Sequence, residues 1–488
     1  MSDTHVDVLI VGAGISGIDV AYRVRERCPE LDVTILEARD RLGGTWDLFR
    51  YPGVRSDSDI YTLSFPFRPW TGEQSIVDGD ELLTYVEETA RRFHIDERIV
   101  YGTRVLAADW DTGTARWHVT AEHDGTPVTY VTRFLIGCTG YYDYDNPHDP
   151  GFEGTADFNG TIVHPQFWPA DLDYTGKRVV VVGSGATAVT VVPAMAADAA
   201  HVTMLQRTPS YVLAQPRVDT IARTLKKVLP SDVAHRIART KNTAIQWALF
   251  QACRRFPDGM RALLRKGAIA EVGDAALVDR HFRPPYNPWE QRMCIAPDGD
   301  LYRSIRAGDA SVATGNIDRF VPEGIRLTDG DIVQADIVVT ATGLRIKLLG
   351  GVTLSIDGEP VDVSKACTYH GALLSGLPNF SVCIGYINLS WTVRADVTAR
   401  LIARVLRKLL DTGSDAVVPV VPDGIGPTGP FMDMQSGYLA RAADIMPRAG
   451  RKYPWAFRQN VLLDVWATNR TGLDDGLHWT RIRKEAHA

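Results

Sequence analysis

Two glycine-rich turns, each placed between a short apolar run and a helical pattern, constrain the fold of this chain more than any other feature. The first turn follows residues 6–11 (VDVLIV) and reads Gly12-Ala-Gly14-Ile-Ser-Gly17. Glycines at this spacing let the backbone turn tightly, approach a pyrophosphate and pack a helix against a strand, with the phosphates on the amides that begin the helix. The next apolar run ends on Glu37, whose carboxylate can accept hydrogen bonds from a ribose hydroxyl. Strand, turn, helix and acid in this order predict a dinucleotide site.

The same pattern recurs in the middle of the chain. Residues 177–182 (KRVVVV) precede the turn Gly183-Ser-Gly185-Ala-Thr-Ala188, and the next run, residues 201–206, ends before Arg207. Arg207 and Glu37 thus stand at equivalent strand ends with opposite charge. A carboxylate repels a ribose 2′-phosphate, whereas a guanidinium binds one through two hydrogen bonds. We therefore expect FAD at the first site and NADPH at the second; the alternative for Arg207 is a solvated loop residue.

Two such sites predict an α/β protein with two Rossmann-like dinucleotide-binding domains. The order of the motifs places the FAD-binding domain at residues 1–145 and 344–488, interrupted by an NADPH-binding domain at 146–343 that contains a helical insert at about 211–290. Further along, Ser390 precedes an amphipathic pattern at residues 391–410. The N-terminus of that helix would either stabilise the negative charge of a reduced flavin or simply begin a capped surface helix.

Composition and charge exclude several other classes of protein. The 488 residues are 45% apolar and 23% charged, which is ordinary globular composition. The net charge of −6 gives no electrostatic case for nucleic-acid binding. The six cysteines lie far apart without a C-x-x-C pair, which argues against a zinc ribbon or a dithiol redox pair, and no metal site is predicted.

The sequence contains no segment typical of export or of a membrane span. The N-terminus carries acidic residues before a short apolar run, unlike a signal peptide, and no run of about 18 apolar residues is free of glycine or charge. These features predict a cytoplasmic protein. One region is basic: between Tyr211 and Ala270, 12 Lys and Arg side chains stand against 3 Asp. This stretch is either a solvated helical face or a lid over the substrate funnel that attracts NADPH or contacts an anionic membrane surface.

Two longer segments carry a resemblance to a known family. Residues 43–57 (GGTWDLFRYPGVRSD) resemble the first signature of Baeyer–Villiger monooxygenases, and residues 158–169 (FNGTIVHPQFWP) match the second, F-x-G-x-x-x-H-x-x-x-W-P, at every fixed position. The resemblance extends over essentially the whole chain. It implies an NADPH- and O₂-dependent enzyme that converts ketones to esters or lactones through a C4a-peroxyflavin and that also oxidises sulfides.

The resemblance also implies roles for individual residues. Arg292 matches the arginine that reaches the reactive flavin carbon, and Asp57 would lie beside the flavin ring and hold that arginine. Many family members carry Lys before the arginine, where it helps to hold the 2′-phosphate, but this chain has Gln291. His164 and Trp168 are expected to anchor the crossing between the domains. The cofactor contacts predicted from motifs and resemblance together are Gly12, Gly14, Ser16, Gly17, Glu37, Gly44, Thr45, Trp46, Arg55, Ser56, Asp57, Val105, Gly183, Ser184, Gly185, Ala186, Thr187, Ala188, Arg207 and Thr208.

Two other functions remain open on the sequence. A monooxygenase restricted to heteroatoms (sulfide, amine or thioamide) would give a sulfoxide but no lactone from a cyclic ketone. A non-enzymatic, redox-sensing flavoprotein would show no substrate-dependent consumption of NADPH, and it would leave Arg292 without a role.

Overall fold

The computed structural model describes residues 3–386, 388–431, 437–457, 459–470 and 472–482. Strands and helices alternate along much of the chain, as the two glycine turns predict. The helices are α1 (Ile15–Arg27), α2 (Thr45–Leu48), α3 (Ile60–Leu63), α4 (Gly79–Arg92), α5 (Ala186–Met195), α6 (Thr220–Val228), α7 (Ser231–Arg255), α8 (Pro257–Val272), α9 (Ala275–His281), α10 (Asp300–Ala307), α11 (Trp391–Thr412), α12 (Gly437–Arg441) and α13 (Val461–Arg470).

Most strands are short and rich in β-branched residues. They are β1 (Thr4–Val11), β2 (Val33–Leu36), β3 (Ile99–Val100), β4 (Thr103–Asp111), β5 (Arg116–His123), β6 (Thr126–Gly137), β7 (Thr161–Val163), β8 (Arg178–Val182), β9 (His201–Gln206), β10 (Val212–Gln215), β11 (Cys294–Pro297), β12 (Ala310–Thr314), β13 (Ile317–Val321), β14 (Gly324–Leu327), β15 (Ile332–Gln334), β16 (Ile337–Thr340), β17 (Thr353–Ile356), β18 (Glu359–Pro360), β19 (Thr368–Tyr369), β20 (Leu373–Leu374), β21 (Phe380–Val382), β22 (Ala416–Pro419), β23 (Pro427–Pro430), β24 (Arg448–Gly450) and β25 (Leu477–Thr480).

The first glycine turn belongs to the larger of the two main sheets. Its strands run in the order β18-β17-β4-β5-β6-β1-β2-β3, and β21 adds to the end of β6. Strand β1 lies between the parallel strands β2 and β6, with Val8 opposite Val33 and Phe134. Because both faces of β1 are covered, its apolar run is continuous rather than alternating. Helices α1 and α11 pack together as part of one core cluster, while Trp110 and Trp117 belong to a second cluster built on this sheet.

The second glycine turn belongs to a smaller, fully parallel sheet with the order β12-β9-β8-β16-β7. Strand β8 is buried from Val179 to Val182, and α5 and α10 contribute to the core beside it. The strands of the large sheet lie at residues 4–137 and 353–382, whereas the strands of the smaller sheet lie between residues 161 and 340. This division agrees with an interrupted layout, and the domain boundaries themselves stay a prediction.

Both turns need glycine at their first position for the same physical reason. Gly12 and Gly183 have φ angles of +103° and +144°. A Cβ on Gly12 would lie 2.6 Å from the carbonyl oxygen of Cys138, and one on Gly183 would lie 2.3 Å from that of Ala341. Cys138 and Ala341 directly follow β6 and β16, the strands that neighbour β1 and β8. Each turn therefore passes against the end of the adjacent strand, where no side chain fits.

The two crossings between the sheets lie side by side. The backbone amide of Asp143 donates to the carbonyl of Arg345 at 2.8 Å, and that of Lys347 donates to Tyr141 at 3.0 Å. The second signature supports this crossing: the side-chain amide of Gln166 donates to the carbonyl of Asp143 at 2.8 Å, and Nδ1 of His164 accepts from the amide of Gln166 at 3.1 Å. His164 thus lies at the crossing, where its predicted anchoring role places it.

The insert is helical, but it does not begin as a helix. The stretch from Tyr211 starts with strand β10, which pairs with β11, and helices α6 to α9 follow. Helix α7 packs against α3 of the large-sheet half. Arg239 of α7 is half-buried there and donates to the carbonyl oxygens of Thr62 and Ser64, each at 2.7 Å. The insert is therefore fastened to the half of the molecule that contains the first glycine turn.

The basic stretch is less free than its sequence implies. Six of its 12 basic side chains have protein partners among the described residues: Arg217, Lys226, Arg239, Lys241, Arg261 and Arg265. Arg217, Lys226, Arg239 and Lys241 are partly buried in these contacts, so part of the stretch is not a solvated face, whereas Arg265 is exposed. None of the described helices is long enough and apolar enough to cross a bilayer.

Candidate active site

One cavity of about 1210 Å³ connects the two glycine turns. Its wall includes Gly12 and Gly14 from the larger sheet and Gly183 and Gly185 from the smaller one. Both following helices, α1 and α5, begin after a glycine, without a capping side chain on their first amides among the described residues. Free amides at a helix N-terminus are the groups that bind phosphate, so the cavity carries one such site at each end.

Glu37 and Gly44 shape the first end of the cavity. One carboxylate oxygen of Glu37 accepts from the amide of Ala13 at 2.7 Å, and the other accepts from the amide of Arg39 at 3.0 Å. Burial raises the pKa of this carboxyl, and the two amide bonds oppose the increase. A carboxylate has about four acceptor positions, so ribose hydroxyls can still bind to it. A Cβ on Gly44 would lie 3.2 Å from Cα of Gly14, so the two glycines pack backbone against backbone without room for a side chain between them.

The second end is formed by Ser184 and the loop after β9. The Ser184 hydroxyl donates to the carbonyl of Thr208 at 2.8 Å and lies 2.9 Å from the hydroxyl of Ser210. These contacts tie the glycine turn to the loop that carries Arg207. Arg207 is exposed and lines the cavity, as a 2′-phosphate ligand must. Gln291 lines it as well.

Arg292 and Asp57 meet on the wall between the two ends. Nη2 of Arg292 lies 2.7 Å from Oδ1 of Asp57, and the two side chains are 35% and 28% exposed. Asp57 comes from the loop before α3, and Arg292 directly precedes β11. The pair thus joins the two halves of the molecule while part of the guanidinium still faces the cavity. Next to it, burial raises the pKa of the Cys294 thiol to about 12, so this cysteine has no nucleophilic role at neutral pH.

A second ion pair starts from the same loop, two residues before Asp57. Here the large-sheet half provides the arginine and the other half provides the carboxylate. Arg55 of the large-sheet half pairs with Asp300 at the start of α10, through two contacts of which one is 3.3 Å. The Arg55 side chain is only 6% exposed, compared with 35% for Arg292. The guanidinium of Arg55 is therefore held by Asp300, and its contact with a cofactor stays a prediction.

The first signature also packs directly onto α5. A Cβ on Gly53, whose φ is +72°, would lie 2.7 Å from Cβ of Ala194. The Tyr51 hydroxyl bonds to the side chain of Thr187, and burial raises its pKa to about 12. Sequence reasoning assigned this segment to the flavin and missed that it docks one half of the molecule on the other. The run of Tyr, Pro and Gly before Arg55 was the available signal, since a glycine between bulky residues often marks close backbone packing.

The structure brings nearly all predicted site residues to the cavity. Those on its wall are Gly12, Gly14, Ser16, Glu37, Gly44, Thr45, Trp46, Arg55, Ser56, Asp57, Val105, Gly183, Ser184, Gly185, Ala186, Thr187, Arg207, Thr208 and Arg292. Gly17 and Ala188 are not on the wall; they pack helix against turn. The wall residues that were not predicted include Tyr144, whose hydroxyl lies 3.0 Å from that of Thr45, and Trp391, whose indole donates to Ser16 at 2.7 Å. Their contacts span 99 and 375 residues, which no local pattern shows.

Comparison with known proteins gives the same result for fold and family. The family model "Flavin-binding monooxygenase-like" matches residues 5–251. The FAD-containing monooxygenase EthA of Mycobacterium tuberculosis H37Rv is 47% identical over 479 residues, 98% of each chain. The probable FAD-binding monooxygenase AlmA of Acinetobacter baylyi is 43% identical over 489 residues, 98% of this chain and 97% of the other.

A solved structure titled "Oxidized steroid monooxygenase bound to NADP" superposes with a TM-score of 0.79 and 21% identity, covering 98% of this chain and 100% of that one. At that identity the likeness shows the fold, and it confirms the α/β class with two nucleotide-binding domains. Together with the extensive identity to the two monooxygenases, it also confirms the resemblance that the two signatures carry. The chain belongs to the flavin-binding monooxygenase-like family.

Proposed function

We propose that this protein is an NADPH- and O₂-dependent flavin monooxygenase that converts ketones to esters or lactones and also oxidises sulfides. The observation that carries the proposal is the Arg292–Asp57 pair, which faces the cavity between the two nucleotide turns. The monooxygenases EthA and AlmA support the enzyme class. The product class rests on the charge at Arg292.

The residues at each end of the cavity indicate which of the two cofactors binds there. FAD fits the end with Glu37, Gly14 and Gly44, and NADPH fits the end with Arg207. When bound, the flavin supplies electrons from the nicotinamide to dioxygen, and so the oxygen atom that the substrate receives. The chain positions the two nucleotides along one wall through the amides at the starts of α1 and α5.

Arg292 provides a positive charge where negative charge develops on oxygen. A guanidinium in a cavity with little water stabilises such charge far more than water does, and it needs no reorganisation during the reaction. Asp57 holds the guanidinium through one contact of 2.7 Å and offsets part of its charge. Because both side chains are partly exposed, Arg292 can leave Asp57 and return without burying an unpaired charge.

The test is product formation by an Arg292→Ala variant of the FAD-loaded enzyme. We expect NADPH to reduce the flavin at the normal rate, but ester formation from a cyclic ketone to fall by at least about a thousandfold, as for other lost oxyanion donors. Arg326→Ala is the matched control, because Arg326 pairs with Asp318 on the surface and is remote from the cavity wall. Normal ester formation by Arg292→Ala would remove the proposal.

The products formed from a cyclic ketone and from a sulfide distinguish the proposed enzyme from a heteroatom-only monooxygenase. The proposed enzyme gives a lactone from a cyclic ketone as well as a sulfoxide from a sulfide. A heteroatom-only monooxygenase gives the sulfoxide alone, since it does not need an anionic oxygen nucleophile beside Arg292.

A further inference from the structure

We propose that the outer face of the helical insert is a docking surface for an anionic lipid bilayer. The outer face consists of the exposed apolar and basic side chains of α6, α7 and α8, with Phe256 between α7 and α8. The proposal is independent of the reaction, because it rests on exposed side chains of the insert and not on residues of the cavity wall. Lipid binding and ester formation can therefore fail separately.

Exposed apolar side chains are concentrated on this face. Among the described residues, 16 large apolar side chains are exposed, and six of them lie between residues 221 and 263. The most exposed are Val228 at 72%, Phe256 at 62% and Leu263 at 60%; the other three are Ile221, Ile237 and Ile245. Single exposed apolar residues need no explanation, but a cluster on neighbouring helices indicates an interaction surface.

Basic side chains accompany these apolar residues. The other six Lys and Arg residues of the basic stretch between Tyr211 and Ala270 are all exposed: Arg223, Lys227, Arg236, Arg254, Arg255 and Lys266. Lys227 adjoins Val228, and Arg255 adjoins Phe256. Lys266 lies one turn from Leu263 on α8. The exposed acids of α7 and α8 in the basic stretch are Asp232 and Asp258, so the face stays positive.

The opposite side of the insert fixes the orientation of this face. Besides Arg239, the side chains of Asn242 and Gln246 donate to the two carboxylate oxygens of Asp59 at 2.9 and 2.6 Å. Asp59 is buried and also accepts from the amide of Thr62 as the cap of α3. Helix α7 is thus held by polar contacts along its inner side, and it cannot turn its apolar outer residues inward without losing these hydrogen bonds.

The pattern favours a lipid surface over a protein partner. Apolar side chains next to Lys and Arg insert into the boundary between headgroups and acyl chains, while the basic groups bind anionic headgroups. Helix α13 also exposes Leu462, Leu463, Val465 and Trp466, but its sequence contains a single basic residue, Arg470. Charge complementarity therefore selects the insert. Because no described helix could cross a bilayer, the proposed contact between the insert and the lipid is peripheral.

The experiment is flotation of the FAD-loaded full-length protein with vesicles. We expect the protein to float with phosphatidylcholine vesicles that contain phosphatidylglycerol and to remain at the bottom with pure phosphatidylcholine. High salt should weaken the binding, and each Lys or Arg replaced by Glu should lower the partition coefficient by roughly fivefold or more. The variants are Val228→Ser with Phe256→Ser for the apolar contact, and Lys227→Glu with Arg255→Glu for the charge. Both pairs should lower partitioning at least about tenfold while FAD content and NADPH oxidation stay normal.

Two matched variants make the outcome specific. Ile332→Ser removes an exposed apolar residue of β15 and should leave partitioning unchanged. Trp466→Ser tests α13; loss of binding in this variant, with normal binding in both insert variants, would overturn the proposal. Equal binding to neutral and anionic vesicles would overturn it too. So would concentration-dependent self-association without lipid that the insert variants abolish, because the face would then belong to a second copy of the chain.

Discussion

The two glycine turns have the same strand, turn and helix arrangement, but the surrounding chain packs more closely on the first turn than on the second. We call the first turn closed and the second open. A Cβ on Gly17 would lie 2.0 Å from the carbonyl oxygen of Gly12, whereas the second turn has Ala188 at the equivalent position. A Cβ on Gly14 would contact Cα of Gly44 at 3.7 Å, but one on Gly185 would meet nothing within 4 Å. The glycines Gly12 and Gly14 of the first turn are half-buried, while Gly185 of the second is exposed.

The strand ends repeat this difference. Glu37 is 6% exposed and both of its oxygens accept backbone hydrogen bonds, whereas Arg207 is exposed. A closed site holds its ligand tightly, and an open site lets its ligand exchange at each turnover. The comparison therefore agrees with a retained FAD at the first turn and an exchanging NADPH at the second, as the proposed function requires.

The largest expected effect is that of Gly17→Ala. The added methyl would overlap the Gly12 carbonyl, so either the turn or α1 must move, at a cost of about 3 kcal/mol or more in the free energy of unfolding. We expect the variant to purify with little FAD, measured by flavin absorbance per protein. Ala188→Gly is the matched change at the open turn and should cost only about 1 kcal/mol, from helix propensity. Full FAD content in Gly17→Ala would contradict the closed description of the first turn.

The two ion pairs that join the halves provide the next test. Asp300→Asn leaves the nearly buried guanidinium of Arg55 without a counter-charge, which should lower the free energy of unfolding by about 3 kcal/mol. Asp57→Asn at the partly exposed pair should cost about 1 kcal/mol or less in stability. Urea unfolding measures both.

For kcat we expect the order of the two variants to be reversed, with the larger loss in Asp57→Asn. Asp57→Asn changes the charge beside Arg292 and should lower kcat, whereas Asp300→Asn should leave kcat of the folded fraction within about threefold of the original. If both variants lose stability equally, the assignment of Arg55–Asp300 as the structural pair and Asp57–Arg292 as the mobile one is wrong.

The open site can be tested by replacing Arg207, the residue that we expect to bind the 2′-phosphate of NADPH. Arg207→Ala should raise KM for NADPH by about tenfold, the value of one lost charge-assisted hydrogen bond, and leave KM for NADH nearly unchanged. Gln291→Lys adds a charge on the same wall and should lower KM for NADPH severalfold. Equal changes for the two nucleotides in Arg207→Ala would show that the phosphate is held elsewhere.

The sequence predicted what depends on local pattern. The two turns, the residues at their strand ends and the helix after Ser390 are each encoded within a few residues, and the structure places them as expected, with α11 beginning at Trp391. The motif order was enough to predict two nucleotide-binding folds because a strand, glycine turn and helix specify one unit.

What the sequence did not show depends on contacts between distant segments. The Arg55–Asp300 pair joins residues 245 positions apart, and Arg239 reaches carbonyls of α3 from a stretch that reads as a solvated basic face. Charge counting cannot separate these two kinds of arginine, since burial of a guanidinium depends on the partner that the fold brings to it. The same limit explains why Gly53 reads as a loop glycine although it packs against α5.

The smallest expected effect concerns the contact between the insert and the closed half. His235 of α7 is buried, and burial lowers its pKa to about 4, with Arg239 and Lys226 adding repulsion. The unfolded chain protonates this histidine near pH 6.5, so below that pH the unfolded state binds more protons than the folded one and stability falls. Between pH 7 and 5.5 this should lower the free energy of unfolding by about 1 kcal/mol, and His235→Asn should remove that part of the slope. An unchanged slope in His235→Asn would show that the insert contact does not respond to this proton.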